Sequence, residues 1–507
     1  MKVIDTSQMG EKIISDSLYD NRTNLINALC LKNEPLVTIV VIAYNRIDKT
    51  RNCIESILTN THNIDYELVL IDNGSTDGTL DYFESIDYEK KEIIRITKNI
   101  GAGIPLFAIP VLHYHKYIAW IANDVIVTPN WLENLVTIME TDEKVGMVCP
   151  VSSNVSNLQE INLQFQSLEE MYQKAALFNQ SDPRKWQDRL RLMNAVTFLR
   201  KEVMVALGPY CYDMGFFHDF GDDDLTFRIR RTGYRTILAG DTWVHHDHDI
   251  WHFENKDPVE HQKSLEIGRE NFRDKFYGVD AWDDVNNYWM IDVTSHIPTP
   301  KDSCKKQILG VDVRCGTPIL DVKNRLREFG IFDVDLSAFT QLAKYVPDLS
   351  SICSGIVACD REEYLGRQFP DNYYDYIVVD HPLNRYHEPQ QMLEDWFSLL
   401  KPGGLLMFPL LNTFSVMEFL YCLGQKDLYN HEFAYNIPLE PLTATLEQFG
   451  KLEFILPRSI NLSQDSKEYL TSMFPARISQ DKKNQLLSDL TIERYMIGVK
   501  KRDTNTL

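Results

Sequence analysis

Two α/β domains in tandem are the fold class that the sequence predicts, and three observations carry the prediction. The runs Val37-Thr38-Ile39-Val40-Val41-Ile42 and Tyr66-Glu67-Leu68-Val69-Leu70-Ile71 are apolar almost throughout, as strands buried on both faces are. Between them Cys53, Ile54, Ile57 and Leu58 recur at helical spacing, so strand, helix and strand make a right-handed βαβ unit. Far downstream, the proline-containing stretch Thr294 to Ser303 reads as a linker, and Gln307-Ile308-Leu309-Gly310-Val311-Asp312-Val313 restarts the pattern. A chain of 507 residues is too long for one ordinary core. The expected division is a leading helical segment at 1–34, an α/β domain at 35–293, a linker at 294–304, and a second α/β domain with a C-terminal extension at 305–507.

Composition narrows the function. Hydrophobic residues at 44% and charged residues at 25% describe an ordinary globular chain. With 52 basic against 73 acidic residues the net charge is -21, which disfavours a general nucleic-acid binder or a surface for anionic lipid. No apolar run approaches the ~18 residues of a membrane span. The amino terminus lacks the basic-then-apolar pattern of a signal peptide, and the expected location is cytoplasmic, with any membrane association peripheral and through an acceptor. Nine scattered cysteines without a C-x-x-C pair read as core or incidental residues.

Element by element, residues 1–34 show weak helical periodicity. The first strand closes in Ala43-Tyr44-Asn45-Arg46, and helix follows from Asp48 to Leu58. The second strand ends in Asp72-Asn73-Gly74-Ser75-Thr76-Asp77-Gly78-Thr79, a polar turn at the strand end where a βαβ unit binds its ligand. A third strand at Ile93 to Ile96 runs into Lys98-Asn99-Ile100-Gly101-Ala102-Gly103, after which Ile104 to Ile118 reads as helix and Ile121 to Val127 as strand. Asn123-Asp124 interrupts that last strand. A carboxylate among apolar residues is costly unless a cation or several donors meet it, although Thr128-Pro129-Asn130 nearby also permits a plain turn.

These stretches together resemble the family 2 glycosyltransferases of the GT-A fold. The resemblance continues through Leu192 to Lys201, Gly221-Asp222-Asp223-Asp224-Leu225, Arg228 to Tyr234 and Val244-His245-His246, and covers about residues 36 to 275. It implies that a nucleotide-diphospho-sugar lies across the strand ends, contacting Ala43, Tyr44, Asn45, Arg46, Asp72, Asn99, Gly101 and Asn123. It further implies that Asp124 holds Mn2+ or Mg2+ against the phosphates. The family's usual motif has another acid two positions earlier, where this chain has Ala122. Few protein carboxylates are needed by such cations, because phosphate and water complete the shell.

Three adjacent aspartates at 222–224 open a helix-like run. Capping and dipole complementarity, about 0.5–1 kcal/mol per charge, account for at least one of them, while mutual repulsion raises pKa and suits a base. The resemblance implies that Asp222 is the general base of an inverting transfer, with Asp223 as runner-up. Val244-His245-His246-Asp247-His248-Asp249 could form a metal cluster of its own or a solvated polar loop. By the resemblance His246 is a further ligand of the same metal, with His245 as the alternative. Residues 151–190 correspond to the family's acceptor wall, and Pro258 to Gly278 reads as a packed helix.

From about 305 to 410 the chain resembles the class I methyltransferase fold, a Rossmann-like domain, through Val311-Asp312-Val313-Arg314-Cys315-Gly316-Thr317-Pro318, Val334-Asp335-Leu336-Ser337, Tyr374 to Val379 and Leu399-Leu400-Lys401-Pro402-Gly403-Gly404. The implied ligand site is Asp312, Gly316 and Asp335, with Asp335 as the acid that holds the ribose of S-adenosylmethionine. Arg314 and Pro318 stand at two of the motif's glycine positions, which argues against that cofactor. The expected activity is an inverting, metal-dependent transfer from a UDP- or dTDP-sugar to a hydroxyl of a surface polysaccharide precursor or of a protein such as flagellin. A bifunctional glycosyltransferase and methyltransferase, or a catalytically inactive scaffold, are the alternatives.

Overall fold

The computed structural model describes residues 1–5, 36–101, 115–207, 213, 216, 219–248, 258–416, 418 and 435–503. It divides into two compact units, Met1–Asn286 and Asn287–Leu507.

In the first unit the strands are β1 (Lys2–Ile4), β2 (Val37–Ala43), β3 (Tyr66–Asn73), β4 (Lys91–Ile96), β5 (Tyr117–Ala122), β6 (Val125–Ile126), β7 (Val145–Ser152), β8 (Trp186–Asp188), β9 (Val196–Arg200) and β10 (Arg235–His246). They run in the order β1-β4-β3-β2-β5-β9-β7-β10-β6, with β8 paired to β10. β4, β3, β2 and β5 are mutually parallel, while β9 is antiparallel to both β5 and β7. Chain order reverses at β2 and β5, which opens a cleft at their carboxyl ends.

Both faces of β2 are buried, which explains its unbroken apolar run. Ile39 and Val41 enter one core cluster with Cys53, Ile54 and Ile57 of helix α1 (Ile47–Asn60) and Trp131 and Leu135 of α2 (Trp131–Glu140). Val40 enters the other, with Leu225 and Ile229 of α3 (Gly221–Arg231). Helix α4 (Pro258–Lys275) forms within the stretch read as helix and buries Gly268 and Phe272, while Ile267, read as a core contact, is exposed.

Two local expectations are corrected. β5 begins at Tyr117, inside the stretch read as helix, and stops at Ala122, so the strand expected at Ile121 to Val127 is two strands separated by Asn123 and Asp124. Tyr117, Ile118, Ala119 and Trp120 are all buried between β2 and β9, and a short run with every side chain buried carries no periodicity to separate helix from strand. Residues 2–4, read with the leading helical segment, form an edge strand parallel to β4, with Ile4 packed against the core. The rest of that segment, like most of the helix expected at 104–118, lies outside the described residues.

The second unit contains β11 (Lys306–Val311), β12 (Val334–Thr340), β13 (Val357–Cys359), β14 (Tyr374–Val379), β15 (Leu400–Leu411), β16 (Gly450–Ser459) and β17 (Ile492–Lys501), with helix α5 (Thr317–Glu328) after β11. The order β13-β12-β11-β14-β15-β17-β16 has five parallel strands followed by antiparallel β17 and β16, a Rossmann-like sheet. This unit starts at Asn287, upstream of the 294–304 stretch, because Asn287 Nδ2 and Trp289 Nε1 both donate to Asp380 at the end of β14.

Candidate active site

The carboxyl end of β2 carries local backbone strain. Asn45 and Arg46 both adopt left-handed backbone conformations, with φ 54° and 62°. Asparagine tolerates this region, whereas arginine does so at a cost of about 1–3 kcal/mol, the kind of strain that collects at functional sites. The conformation is held from the β3 loop: Asn45 N donates to Ser75 Oγ at 2.9 Å, and Thr76 N donates to Asn45 Oδ1 at 2.9 Å. Buried Asp72, in turn, accepts from Ser75 N at 2.9 Å. Asn73 Nδ2 donates to Asn99 Oδ1 and to the Gly101 carbonyl, fixing the loop after β4. Gly74 is required at its position: φ is 82°, and a Cβ would lie 2.8 Å from Asn99 N.

Across the cleft, the turn after β5 meets this frame. Asn123 Nδ2 donates to Thr50 Oγ1 at 2.9 Å and to the Asn45 carbonyl at 3.3 Å. Asp124 is buried, and Arg46 Nη1 lies 3.2 Å from its Oδ2. Short β6 then pairs antiparallel with the end of β10, setting His246 opposite Val125, and Asp247 N donates to the Asp124 carbonyl at 2.8 Å. That register carries His246 Nε2 to 3.3 Å from Asp124 Oδ1 and His248 Nδ1 to 3.4 Å from Oδ2. Burial alone would raise the Asp124 carboxyl. Hydrogen bonds from His246 and His248, with the charges of His246 and Arg46, override it and hold the group well below the usual carboxylate range.

One carboxylate oxygen and two imidazole nitrogens, from Asp124, His246 and His248, lie within 4.8 Å of one another. This donor set fits a divalent transition-metal ion with open positions for a ligand's oxygens. His245 is turned elsewhere: its Nδ1 is 2.8 Å from Ser153 Oγ, its ring stacks on Trp243 and meets Phe165 edge-on, and burial lowers its pKa. Sequence reasoning did not single out His248. The signal was the alternation His246-x-His248, which places two side chains on the same side of an extended chain.

The three aspartates of α3 separate cleanly. Asp224 is fully buried, with Arg228 Nε at 2.8 Å and Lys275 Nζ at 2.5 Å. Asp223 is 2% exposed and ion-paired with Arg191, and burial pushes its carboxyl up against the opposing pull of that arginine. Asp222 alone of the three is half-buried rather than buried, and its Oδ2 accepts from Asn194 N at 3.2 Å. The next residue, Ala195, accepts from Ala122 N at 3.2 Å, so Asp222 is tied to the strand end that carries Asp124. In the expected acceptor wall Trp186 is buried, its Nε1 donating to Asp241 Oδ2 at 2.6 Å, while Phe165, Tyr172 and Phe178 are half-buried and pack against the core.

In the second unit, Asp312 follows β11 at the carboxyl edge of the sheet. It accepts from Gln341 N at 2.9 Å, Gln341 Nε2 at 3.1 Å and Tyr386 OH at 2.9 Å. Burial raises its carboxyl in spite of these donors. Gly316, with φ 107°, caps α5 in the same loop. Asp335 is not brought to them. It pairs with Gln307 at the start of β11, and Lys305 Nζ at 2.9 Å, Gln307 Nε2 at 3.0 Å and Ser354 Oγ at 2.9 Å hold it there. Five further residues of β12, a rise of about 16 Å, separate it from the end where Thr340 and Gln341 stand. The expectation of a ribose-holding acid at Asp335 is therefore corrected.

Residues 38–200 match the model of glycosyl transferase family 2. An uncharacterised glycosyltransferase of Haemophilus influenzae is 33% identical over 123 residues, a match covering 23% of this chain and 36% of that relative. The chain thus spans little more than a third of that relative's length. Among solved structures, a mannosyltransferase from Pyrobaculum calidifontis in complex with GDP-Man and Mn2+ aligns with a TM-score of 0.35 at 17% identity, over 50% of this chain and 74% of that one. A SAM-dependent methyltransferase from Archaeoglobus fulgidus aligns with a TM-score of 0.30 at 17% identity, over 46% of this chain and 99% of that one.

Proposed function

We propose that the chain, whose residues 38–200 match the model of glycosyl transferase family 2, is an inverting glycosyltransferase moving a sugar from a UDP- or dTDP-sugar to a hydroxyl acceptor on a surface glycan precursor. One observation supports this reading above the rest: buried Asp124 stands at the carboxyl end of β5 with His246 and His248 converging on it. A carboxylate so placed suits a divalent cation, and Asp124, His246 and His248 would hold it. Such an ion, when bound, supplies positive charge to offset the negative charge that grows on a departing diphosphate.

The remaining roles fall to this chain's own side chains. Arg46, presented by its left-handed backbone, offers a guanidinium at the cleft that pairs bidentately with phosphate oxygens. Asp72, Asn73 and Asn99 form the polar floor behind it, and Asn123 fixes the β2 loop against β5. Asp222 accepts the proton of the acceptor hydroxyl as that oxygen attacks the anomeric carbon. The bond from carbon to the diphosphate oxygen breaks on the opposite face, and the configuration inverts. The Asn194 N–H directed at Asp222 Oδ2 keeps one carboxylate oxygen fixed for this role.

The reading is tested by thermal shift of the full chain with Mn2+ and a panel of nucleotide sugars. A UDP- or dTDP-sugar should raise the melting temperature only when Mn2+ is present, and Asp124→Ala should remove the rise. Failure of every nucleotide sugar to stabilise the protein would overturn it.

A further inference from the structure

A cavity of about 690 Å³ opens at the carboxyl edge of the second unit's sheet, lined by residues that follow β11, β12 and β14. Strand order reverses between β11 and β14, so this is the position where a Rossmann-like sheet takes its ligand. Its chemistry departs from what an adenosyl group needs. Arg314 holds a left-handed backbone, φ 52°, at a motif glycine, and its Nε lies 3.2 Å from Asp380 Oδ2. At the end of β12, where a ribose diol would need a carboxylate, stands Gln341, whose backbone and side-chain nitrogens both donate to Asp312. Among the described residues, and apart from the tyrosine rings, the lining is apolar only at Leu342, Pro382 and Leu411, little for a purine slot.

What the cavity does offer is paired charge. Arg314 with Asp380 at 3.2 Å, Arg385 with Glu418 at 3.2 Å, and Arg494 with Glu493 at 2.7 Å are three guanidinium–carboxylate couples on its wall. Each couple sets donors and acceptors side by side in planar groups while its charge is neutralised. Vicinal hydroxyls, each both donor and acceptor, match that arrangement, and exposed Tyr435 adds an aromatic ring on which a pyranose can stack. Among the described residues, five lining carboxylates against three guanidinium groups leave no positive excess for a phosphate or nucleotide.

We propose that this cavity binds a neutral, hydroxyl-rich carbohydrate, a short oligosaccharide segment, and does not bind S-adenosylmethionine. The site lies entirely within residues 312–494, and its binding is measured without any transfer reaction, so it stands or falls apart from the glycosyltransferase reading.

The test uses the full-length chain on a microarray of neutral oligosaccharides, followed by calorimetry with the strongest binder. Binding should weaken at least tenfold in Arg314→Gly and in Arg494→Gln, with melting temperatures close to the parent. Two variants in separate elements, the loop after β11 and strand β17, guard against misfolding of either one. S-adenosylmethionine titrated into the parent should give no heat of binding. Absence of binding to every neutral glycan, retention of full affinity in both variants, or saturable binding of S-adenosylmethionine would each overturn the proposal.

Discussion

Asp222 and Asp223 are neighbours in sequence with opposite physical situations, and substituting each gives the sharpest test of the site. Asp223 is 2% exposed and its counter-charge, Arg191, is itself buried. Arg191→Met removes the guanidinium but leaves a carboxylate in the interior, a change that costs about 3–5 kcal/mol. In a unit of this size each kcal/mol moves the melting temperature by roughly 2–4 °C, so the expected fall is about 6–20 °C. Adding Asp223→Asn to Arg191→Met should recover part of the loss, because the stranded charge is gone. Asp222→Asn behaves differently. An asparagine Oδ1 can still accept from Asn194 N, so stability should change by less than about 1 kcal/mol, while transfer should fall by roughly 10²–10⁴ through loss of the base. Differential scanning fluorimetry reads the first effect, and kcat with a stabilising donor and a hydroxyl acceptor reads the second. The assignment is refuted if Asp222→Asn keeps full kcat while Asp223→Asn loses it without loss of stability.

Two further outcomes follow from the first unit. Gly74→Ala should both destabilise the protein and weaken donor binding, since the new Cβ meets Asn99 N at 2.8 Å and the left-handed φ of 82° disfavours any side chain; an unchanged melting temperature would contradict the close approach. Asp280 should contribute to acid sensitivity. Burial would raise its carboxyl, but Arg269 Nε at 2.7 Å and the Asp283 and Trp282 amides hold it down at about 2, below its ordinary value of 3.8. A depressed carboxyl stabilises the fold above its unfolded pKa and loses that contribution as pH falls through the folded one. Stability measured by urea titration should therefore drop between about pH 4 and 2, and Asp280→Asn should flatten that part of the profile.

The legibility of this chain follows what each signal depends on. β2 and β3 are readable because both faces are buried and, Thr38 and Glu67 apart, the runs to Ile42 and Ile71 are apolar, and α1 because only one face is buried. Asp124 stood out for the same reason, as a carboxylate amid buried residues. β5 was misread because Tyr117 to Trp120 are buried on all sides, so burial imposed no period. The histidines were harder. Choosing among His245, His246 and His248 requires the register of β6 against β10, a pairing between residues more than a hundred positions apart. Once that register is fixed, His245 falls toward Trp243 and Phe165, and His246 and His248 fall toward Asp124.

Asp335 shows a different limit. Its surroundings in the sequence, Val334-Asp335-Leu336-Ser337, match a motif whose acid holds a ribose at a strand's end. A ligand, however, meets whatever residue the strand delivers to the carboxyl edge of the sheet. β12 continues through Ser337, Ala338 and Phe339 to Thr340 because those residues are buried and pair with β11 as far as Phe339, with β13 joining along the last three positions. Each added residue moves the edge by about 3.3 Å and turns the next side chain to the other face. Lengthening the strand past the motif thus leaves Asp335 among Lys305, Gln307 and Ser354 and brings Gln341 to the cavity instead. The same extension explains why Asp312 is tied to Gln341 in the structure, since Gln341 is the residue that follows the last position of β12.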